Sequence, residues 1–234
     1  MGILRMGPPD KLLLLLKEKY GISIFIETGT FKGETALWAS KYFQEVVTIE
    51  LSKELFYSTN QELKNINNIV FYHGDSRTIL KEQVVAKFTK SAIFWLDAHF
   101  CSLNTAGGGI PCPLLDELDI IHSYKGDKYI FIDDARLFLS PPPKPHPLDE
   151  YPAIWDVLKK LQIESSNYNV IFEDVIISVP LHARPLVEHY CQDKNTSSDK
   201  LFWDEKTKSD FKIACEYFKK GIIKFLKQRS LLLR

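Results

Sequence analysis

Continuously apolar runs, rich in β-branched and aromatic residues, recur along the chain at residues 22–26, 46–49, 69–72, 92–96 and 129–132. Being apolar without alternation, they suit strands buried on both faces of a sheet. Stretches of helical length separate them, at residues 35–43, 53–65, 77–88 and 113–124. Strand and helix in alternation predict a parallel sheet with helices on both faces. A further amphipathic helix is expected over residues 9–20, with proline at its start.

The rhythm changes late in the chain. In "NVIFEDVIISVP" two strand-like runs, 170–172 and 175–179, are separated only by Glu173 and Asp174. A parallel connection needs a crossover of about a dozen residues or more, so these two runs pair as an antiparallel hairpin. A helix over residues 153–161 precedes them. The expected fold is therefore α/β and Rossmann-like: five parallel strands, then a C-terminal antiparallel hairpin, with helices on both faces. The six-strand dehydrogenase order does not fit it. Two irregular segments, glycine-rich 99–113 and proline-rich 140–152, follow the fourth and fifth strands. Both leave carboxyl ends of strands, where open sheets bind ligands, and both are candidate substrate covers.

Residues 1–180 form the expected main domain, and 181–234 a helical extension. The extension ends in a basic helix over 211–229, whose Phe211, Ile213, Ala214, Phe218, Ile222, Phe225 and Leu226 fall near helical spacing. Such a stripe suits core packing or a homodimer contact better than a membrane face.

Composition narrows the picture only slightly. Of 234 residues, 45% are hydrophobic and 26% charged, and the formal net charge is zero. A balanced charge provides no whole-molecule attraction to nucleic acid, and no nucleic-acid partner is expected. The four cysteines (Cys101, Cys112, Cys191 and Cys215) lack paired metal-ligand spacing and read as free thiols of a reducing cytoplasm. No apolar run is long enough to span a bilayer.

The chemistry concentrates at strand ends. "FIETGTFKGET" (residues 25–35) passes from a buried strand into a turn holding Gly29 and Gly33, flanked by the hydroxyls of Thr28 and Thr30. Glycines there allow a ligand to lie against bare backbone near the next helix's N-terminus. The second strand ends in "TIELS", which puts Glu50 about 20 residues beyond the turn, where nucleotide-binding sheets carry a carboxylate for ribose hydroxyls. The third ends in "FYHGDS", delivering Asp75 and Ser76, one of which would meet an adenine amine. The fourth and fifth end in "FWLDAHF" and "FIDDAR". Acids or glycines at five successive strand ends point to an adenosyl ligand.

On these residues the chain, over 22–180, resembles the class I S-adenosylmethionine-dependent methyltransferases. It is most similar to metal-dependent O-methyltransferases of the catechol O-methyltransferase type. The family's acid–glycine pattern matches Glu27, Gly29 and Gly33, and its "TIE" matches Thr48, Ile49 and Glu50. The resemblance implies S-adenosylmethionine bound by Glu27, Thr28, Gly29, Thr30, Gly33 and Thr35, with Glu50, Leu51, Asp75, Ser76 and Asp97 completing the contacts. It also implies a divalent metal, magnesium by ligand type, on Asp97, Asp133 and Asp134. "FWLDAHF…TAGGG…CPLLDEL" further looks like a bacterial methyltransferase subgroup linked with glycan or natural-product modification. The implied acceptor is a small molecule or glycan hydroxyl.

One position departs from the pattern. The catechol enzymes place a lysine base three residues past the fourth-strand aspartate, and Phe100 stands there. His99 is the nearest alternative base beside Asp97, with His146 in the proline-rich loop a weaker one. Two other functions compete. "YKGDK" offers the Tyr124–Lys128 spacing of NAD-dependent short-chain dehydrogenases, although before the fifth strand instead of after it. A non-catalytic adenosyl-binding module acting through the C-terminal helices is the other.

Overall fold

The five apolar runs form strands β1 (Ile24–Thr28), β2 (Glu45–Glu50), β3 (Ile69–His73), β4 (Ala92–Leu96) and β5 (Lys128–Ile132). The hairpin supplies β6 (Asn167–Phe172) and β7 (Val175–Pro180). This computed structural model describes residues 7–98, 112–144, 146–163, 167–206, 215 and 217–219. The sheet order is β3-β2-β1-β4-β5-β7-β6. The first five strands are mutually parallel, and β7 runs antiparallel to both β5 and β6. The expected α/β sheet with its antiparallel end is present. Glu173 and Asp174, the two residues between β6 and β7, have φ of 47° and 69°. A two-residue hairpin turn of this handedness matches the twist of the strands it joins.

Helices α1 (Asp10–Tyr20), α2 (Glu34–Ser40), α3 (Lys53–Leu63), α4 (Ser76–Ile79), α5 (Leu114–His122), α6 (Arg136–Leu139) and α7 (Ile154–Leu161) surround the sheet. Residues 77–88 do not form the single regular helix expected. After α4 the chain widens into a π-helical turn, Leu80–Val85. This wider turn keeps Leu80 and Val84 in line, and both are completely buried.

Register decides which side chains share a face. Ile24 and Ile26 lie across from Ala92 and Phe94, and Glu27 lies across from Trp95. The even positions of β1 pack into the main apolar cluster with Phe94, Leu96, Leu114, Leu118 and Ile121. Glu27 therefore faces one side of the sheet, and α5 packs on the other. The polar ends of the strands emerge along one edge between these two layers.

Two compact units are present, residues 1–187 and 188–234, with α8 (Arg184–Lys206) running from the first into the second. Most of the expected basic helix over 211–229 lies outside the described residues. Of its apolar stripe only Phe218 is described, and it is exposed. Among the described residues no helix is long and apolar enough to cross a membrane.

Candidate cofactor and active site

The glycine turn is as tight as its sequence suggests. Gly29 has φ of 84°, and a Cβ there would stand 2.3 Å from the Asp97 carbonyl oxygen. Gly33 has φ of 73°, and its Cβ would meet Thr59 Cγ2 at 2.6 Å. Both positions require a residue without a side chain. Backbone N–H groups of Gly29 and Thr30 donate to the Ile49 carbonyl at 3.0 and 3.2 Å, pinning the turn to the end of β2.

Between the glycines sits Phe31, a non-glycine residue at φ of 50°. Two bonds hold this uncommon conformation. Its N–H donates to Glu50 Oε2 at 2.9 Å, and its carbonyl accepts from Thr59 Oγ1 at 2.9 Å. The other oxygen of Glu50 accepts the Ser52 N–H at 2.8 Å. Glu50 is thus locked at the tip of β2 with one backbone donor on each oxygen. Each oxygen keeps a second lone pair for a vicinal diol.

Behind the turn, Thr48 Oγ1 donates to Glu27 Oε2 at 2.6 Å and lies 2.6 Å from Thr30 Oγ1. Since the Thr48 proton is committed to Glu27, Thr30 donates to Thr48. Burial pushes the Glu27 carboxyl up to about 8, with the Thr48 and Thr35 hydroxyls opposing that rise and Glu50 adding to it. Leu51, further along the rim, is partly exposed.

Asp97 and Asp133 follow β4 and β5 on the same face as Glu27. Burial holds the Asp97 carboxyl well above the usual carboxylate range, and the charges of Asp133, Asp134 and Glu27 add to this. Burial, reinforced by Asp134, also raises Asp133 to about 7. Asp133 accepts the Asp134 N–H at 2.8 Å. Asp134, at φ of 55°, is turned toward Arg136, whose Nη1 lies 2.7 Å from Asp134 Oδ1. The same guanidinium pairs with Asp174 in the β6–β7 turn, and the Arg136 N–H donates to Asp174 Oδ1 at 2.9 Å.

This arrangement bears on the expected magnesium site. Among the described residues no group of three histidine, cysteine or acidic side chains is placed to hold a metal. Asp134 has Arg136 where a metal ligand would need the cation. The three aspartates do lie near enough to raise one another's pKa, but as arranged they do not make a metal centre.

Two other expected residues have different surroundings from those anticipated. Both Asp75 oxygens are engaged by Arg77: Oδ1 accepts its N–H and Nε at 2.9 Å, and Oδ2 accepts Nη2 at 2.6 Å. Of the two residues expected near an adenine amine, Asp75 thus has its carboxylate engaged locally, at the N-terminus of α4. Thr28, by contrast, turns its hydroxyl away from Glu27 into the layer beneath α5, where it is buried and without a hydrogen-bond partner. Ser76 is buried beside it. His99, Phe100, Cys101 and the glycine-rich segment lie outside the described residues. His146 Nδ1 lies within hydrogen-bond distance of Glu150 Oε2, at 2.9 Å, and the ring packs edge-on to Tyr151.

The dehydrogenase alternative loses its geometry. Tyr124 donates to the Lys90 carbonyl, and Lys128 Nζ donates to the Tyr124 carbonyl at 3.1 Å, at the opposite end of the sheet from the glycine turn. Asp174 and Glu117 are the site-region acids that sequence reading missed. Asp174 registers there only as a turn residue. Glu117, however, occupies the apolar stripe of α5 with Leu114, Leu118 and Ile121, and an acid at a core position is a readable signal.

No family model matches the chain, and no curated protein matches its sequence. Solved structures do match. A candidate caffeoyl-CoA O-methyltransferase from Staphylococcus aureus aligns with a TM-score of 0.52 and 12% identity, covering 76% of this chain and 86% of that one. A candidate O-methyltransferase from Klebsiella pneumoniae gives 0.51 and 11%, covering 75% and 81%. A candidate methyltransferase from Streptococcus mutans, solved with S-adenosylhomocysteine, gives 0.50 and 15%, covering 75% and 99%. At such identities the likeness speaks for the fold alone. The chain has the Rossmann-like fold of class I methyltransferases, with its glycine turn, Glu50 and buried acids gathered along the carboxyl edge of the sheet.

Proposed function

We propose that this protein is an S-adenosylmethionine-dependent O-methyltransferase acting on a hydroxyl of a glycan or other small polar acceptor. The observation that carries the proposal is Glu50. The backbone N–H groups of Phe31 and Ser52 hold one oxygen each and fix the carboxylate at the tip of β2 beside the glycine turn, as recognition of a ribose diol requires.

Chemistry then falls to the buried acids across the turn. The acceptor oxygen attacks the sulfonium methyl carbon as the carbon–sulfur bond breaks, and that electron pair leaves on sulfur as the neutral thioether. The hydroxyl proton must go to a base. Asp97 has the elevated basicity for this, and the positive sulfonium favours its ionised form. His99 is the second candidate by its place in the sequence. The low-dielectric surroundings of Asp97 also disfavour competing hydrolysis by solvent.

Assistance by a divalent cation such as magnesium is the finer part of the reading, and it has one condition. Asp134 must exchange Arg136 for a cation shared with Asp97 and Asp133. Loss of activity in chelator and its return with magnesium or manganese supports that exchange. Full activity in excess chelator removes the metal and leaves proton transfer to side chains.

Calorimetric titration with S-adenosylmethionine and with NAD tests the whole proposal. Binding of the first and not the second is expected, and the reverse result would overturn it. Labelled methyl transfer onto fractionated cell extract then separates an enzyme from a binding module. The remaining parts of the reading rest on sequence: a cytoplasmic location, and a homodimer contact through the C-terminal helices.

A further inference from the structure

A second polar cluster lies on the other face of the sheet from Glu27, and no part of the proposed chemistry uses it. Glu117, in the first turn of α5, is completely buried, and neither of its carboxyl oxygens has a hydrogen-bond partner. The Ser76 and Thr28 hydroxyls lie close enough to ease its charge, yet neither is in hydrogen-bond geometry. The Thr28 hydroxyl is also buried and unpartnered. Buried polar groups in folded proteins are nearly always paired, so two orphans side by side call for a missing donor.

Their positions suggest which donor. Thr28 ends β1 just before the glycine turn, Ser76 opens α4 just after β3, and Glu117 comes from the helix that follows β4. The cluster thus adjoins the β3 end of the cleft, where a nucleoside held by Glu50 would extend its base. Of the two residues expected near that base, Asp75 has both oxygens engaged by Arg77.

We infer that Glu117, supported by the Ser76 and Thr28 hydroxyls, is a specificity-determining residue that receives the exocyclic amine of the cofactor's adenine. The inference rests on the adenosyl reading of the site. An amine brings two N–H donors and no acceptor, which complements an acceptor-only carboxylate. Because the carboxylate is shut off from solvent, a 6-oxo purine there would set one acceptor against another without water to separate them. Sites that bury a polar reader discriminate strongly for that reason. Burial lifts the Glu117 carboxyl to about 7, with the Ser76 and Thr28 hydroxyls and Arg77 opposing the rise and Asp75 adding to it. The reader therefore becomes fully ionised only above neutrality.

The test is calorimetric binding of S-adenosylhomocysteine and S-inosylhomocysteine at about pH 8.5 to the wild type, Glu117→Met and Glu117→Gln. The wild type should prefer the adenosyl ligand by about tenfold or more. Glu117→Met should lose about tenfold to a hundredfold for the adenosyl ligand, with inosyl affinity unchanged. Its melting temperature should not fall, since an apolar side chain removes a buried orphan. Glu117→Gln should keep adenosyl affinity through its carbonyl and gain inosyl affinity through its amide. A wild-type preference retained in both variants overturns the inference. Failure of the wild type to bind either ligand would instead overturn the adenosyl reading itself, so the two failures are distinct.

Discussion

Glu50 at the tip of β2 and the aspartates after β4 and β5 are held in opposite ways. At the tip of β2, Glu50 is held by two backbone N–H donors, one on each oxygen, while Glu27 behind it on β1 takes the Thr48 hydroxyl and is still raised to about 8 by burial. After β4 and β5, burial and the charges of neighbouring acids, Asp134 among them, raise Asp97 and Asp133, and the nearby charge of Arg136 opposes that rise. A carboxylate held by fixed donors is ready to bind. One raised by burial and like charge is ready to take a proton or receive a cation. On the proposed function Glu50 belongs to the cofactor cradle and the aspartates, with Glu27 behind them, to the reactive side, and four experiments separate the two.

The largest effect is expected at Asp97. Asp97→Asn keeps shape and removes basicity, and should lower methyl transfer by about a hundredfold to ten-thousandfold. Cofactor affinity should change little, since the cradle lies on β1 and β2. Rates with unchanged calorimetric binding would sharpen the division. Equal loss of both would erase it.

Glu50→Ala should do the converse. Losing a charge-assisted contact costs about 1.5–3 kcal/mol, or about tenfold to a hundredfold in cofactor affinity. The turn also loses its bond to the Phe31 N–H, so Glu50→Gln is the milder companion. Unchanged affinity in both variants would remove Glu50 from the site.

How far the sequence anticipated these two sides depends on distance along the chain. The strands were legible because residues buried on both faces of a sheet must be continuously apolar. The hairpin was legible because two residues cannot make a crossover. Glu50 was legible from its place at a strand tip after a glycine turn. The Asp134–Arg136–Asp174 arrangement was not, because it depends on β7 pairing beside β5 and carrying a turn 38 residues away to the β5 loop. The capture of Asp75 by Arg77 spans two residues and was open to reading as a local turn bond. Glu117 gave a signal that burial explains: an acid at i+3 in an apolar stripe.

A smaller effect concerns pH. Glu27 rises from an ordinary 4.5 to about 8 on folding, and Asp133 from 3.8 to about 7. Between those limits the unfolded chain has released protons that the folded chain still holds. Stability of the protein without cofactor is therefore full below about pH 4 for these two groups and falls as pH rises through their folded values. Its melting temperature should drop by several degrees between about pH 6 and about pH 8.5. Glu27→Gln should flatten that slope, and bound S-adenosylmethionine, a cation beside these acids, should reduce it. A melting temperature that rises over the same interval would show that Glu27 and Asp133 are ionised in the folded protein, and that burial does not set these acids apart from Glu50.

The smallest effect separates what Arg136 does for shape from what it does for charge. Arg136 joins Asp134 to Asp174 and so fastens the β6–β7 turn to the β5 loop. Asp134 and Asp174 are only 17% and 6% exposed, but the guanidinium is nearly half exposed, and solvent screening there keeps the pairing to about 1 kcal/mol. Arg136→Met should therefore lower the melting temperature by only about 2–4 °C. Its charge has a second role, because it opposes the rise in both Asp97 and Asp133. Without it the two acids hold their protons to higher pH, and the alkaline shift in the pH–rate profile should exceed anything so small a stability loss explains. Arg136→Lys restores the charge without the planar guanidinium whose Nη1 bridges the two aspartates. It should recover the pH profile more fully than the melting temperature. If both variants shift the profile equally, the clamp and not the charge sets the acids' basicity, and the reactive side is held by geometry as the cradle is.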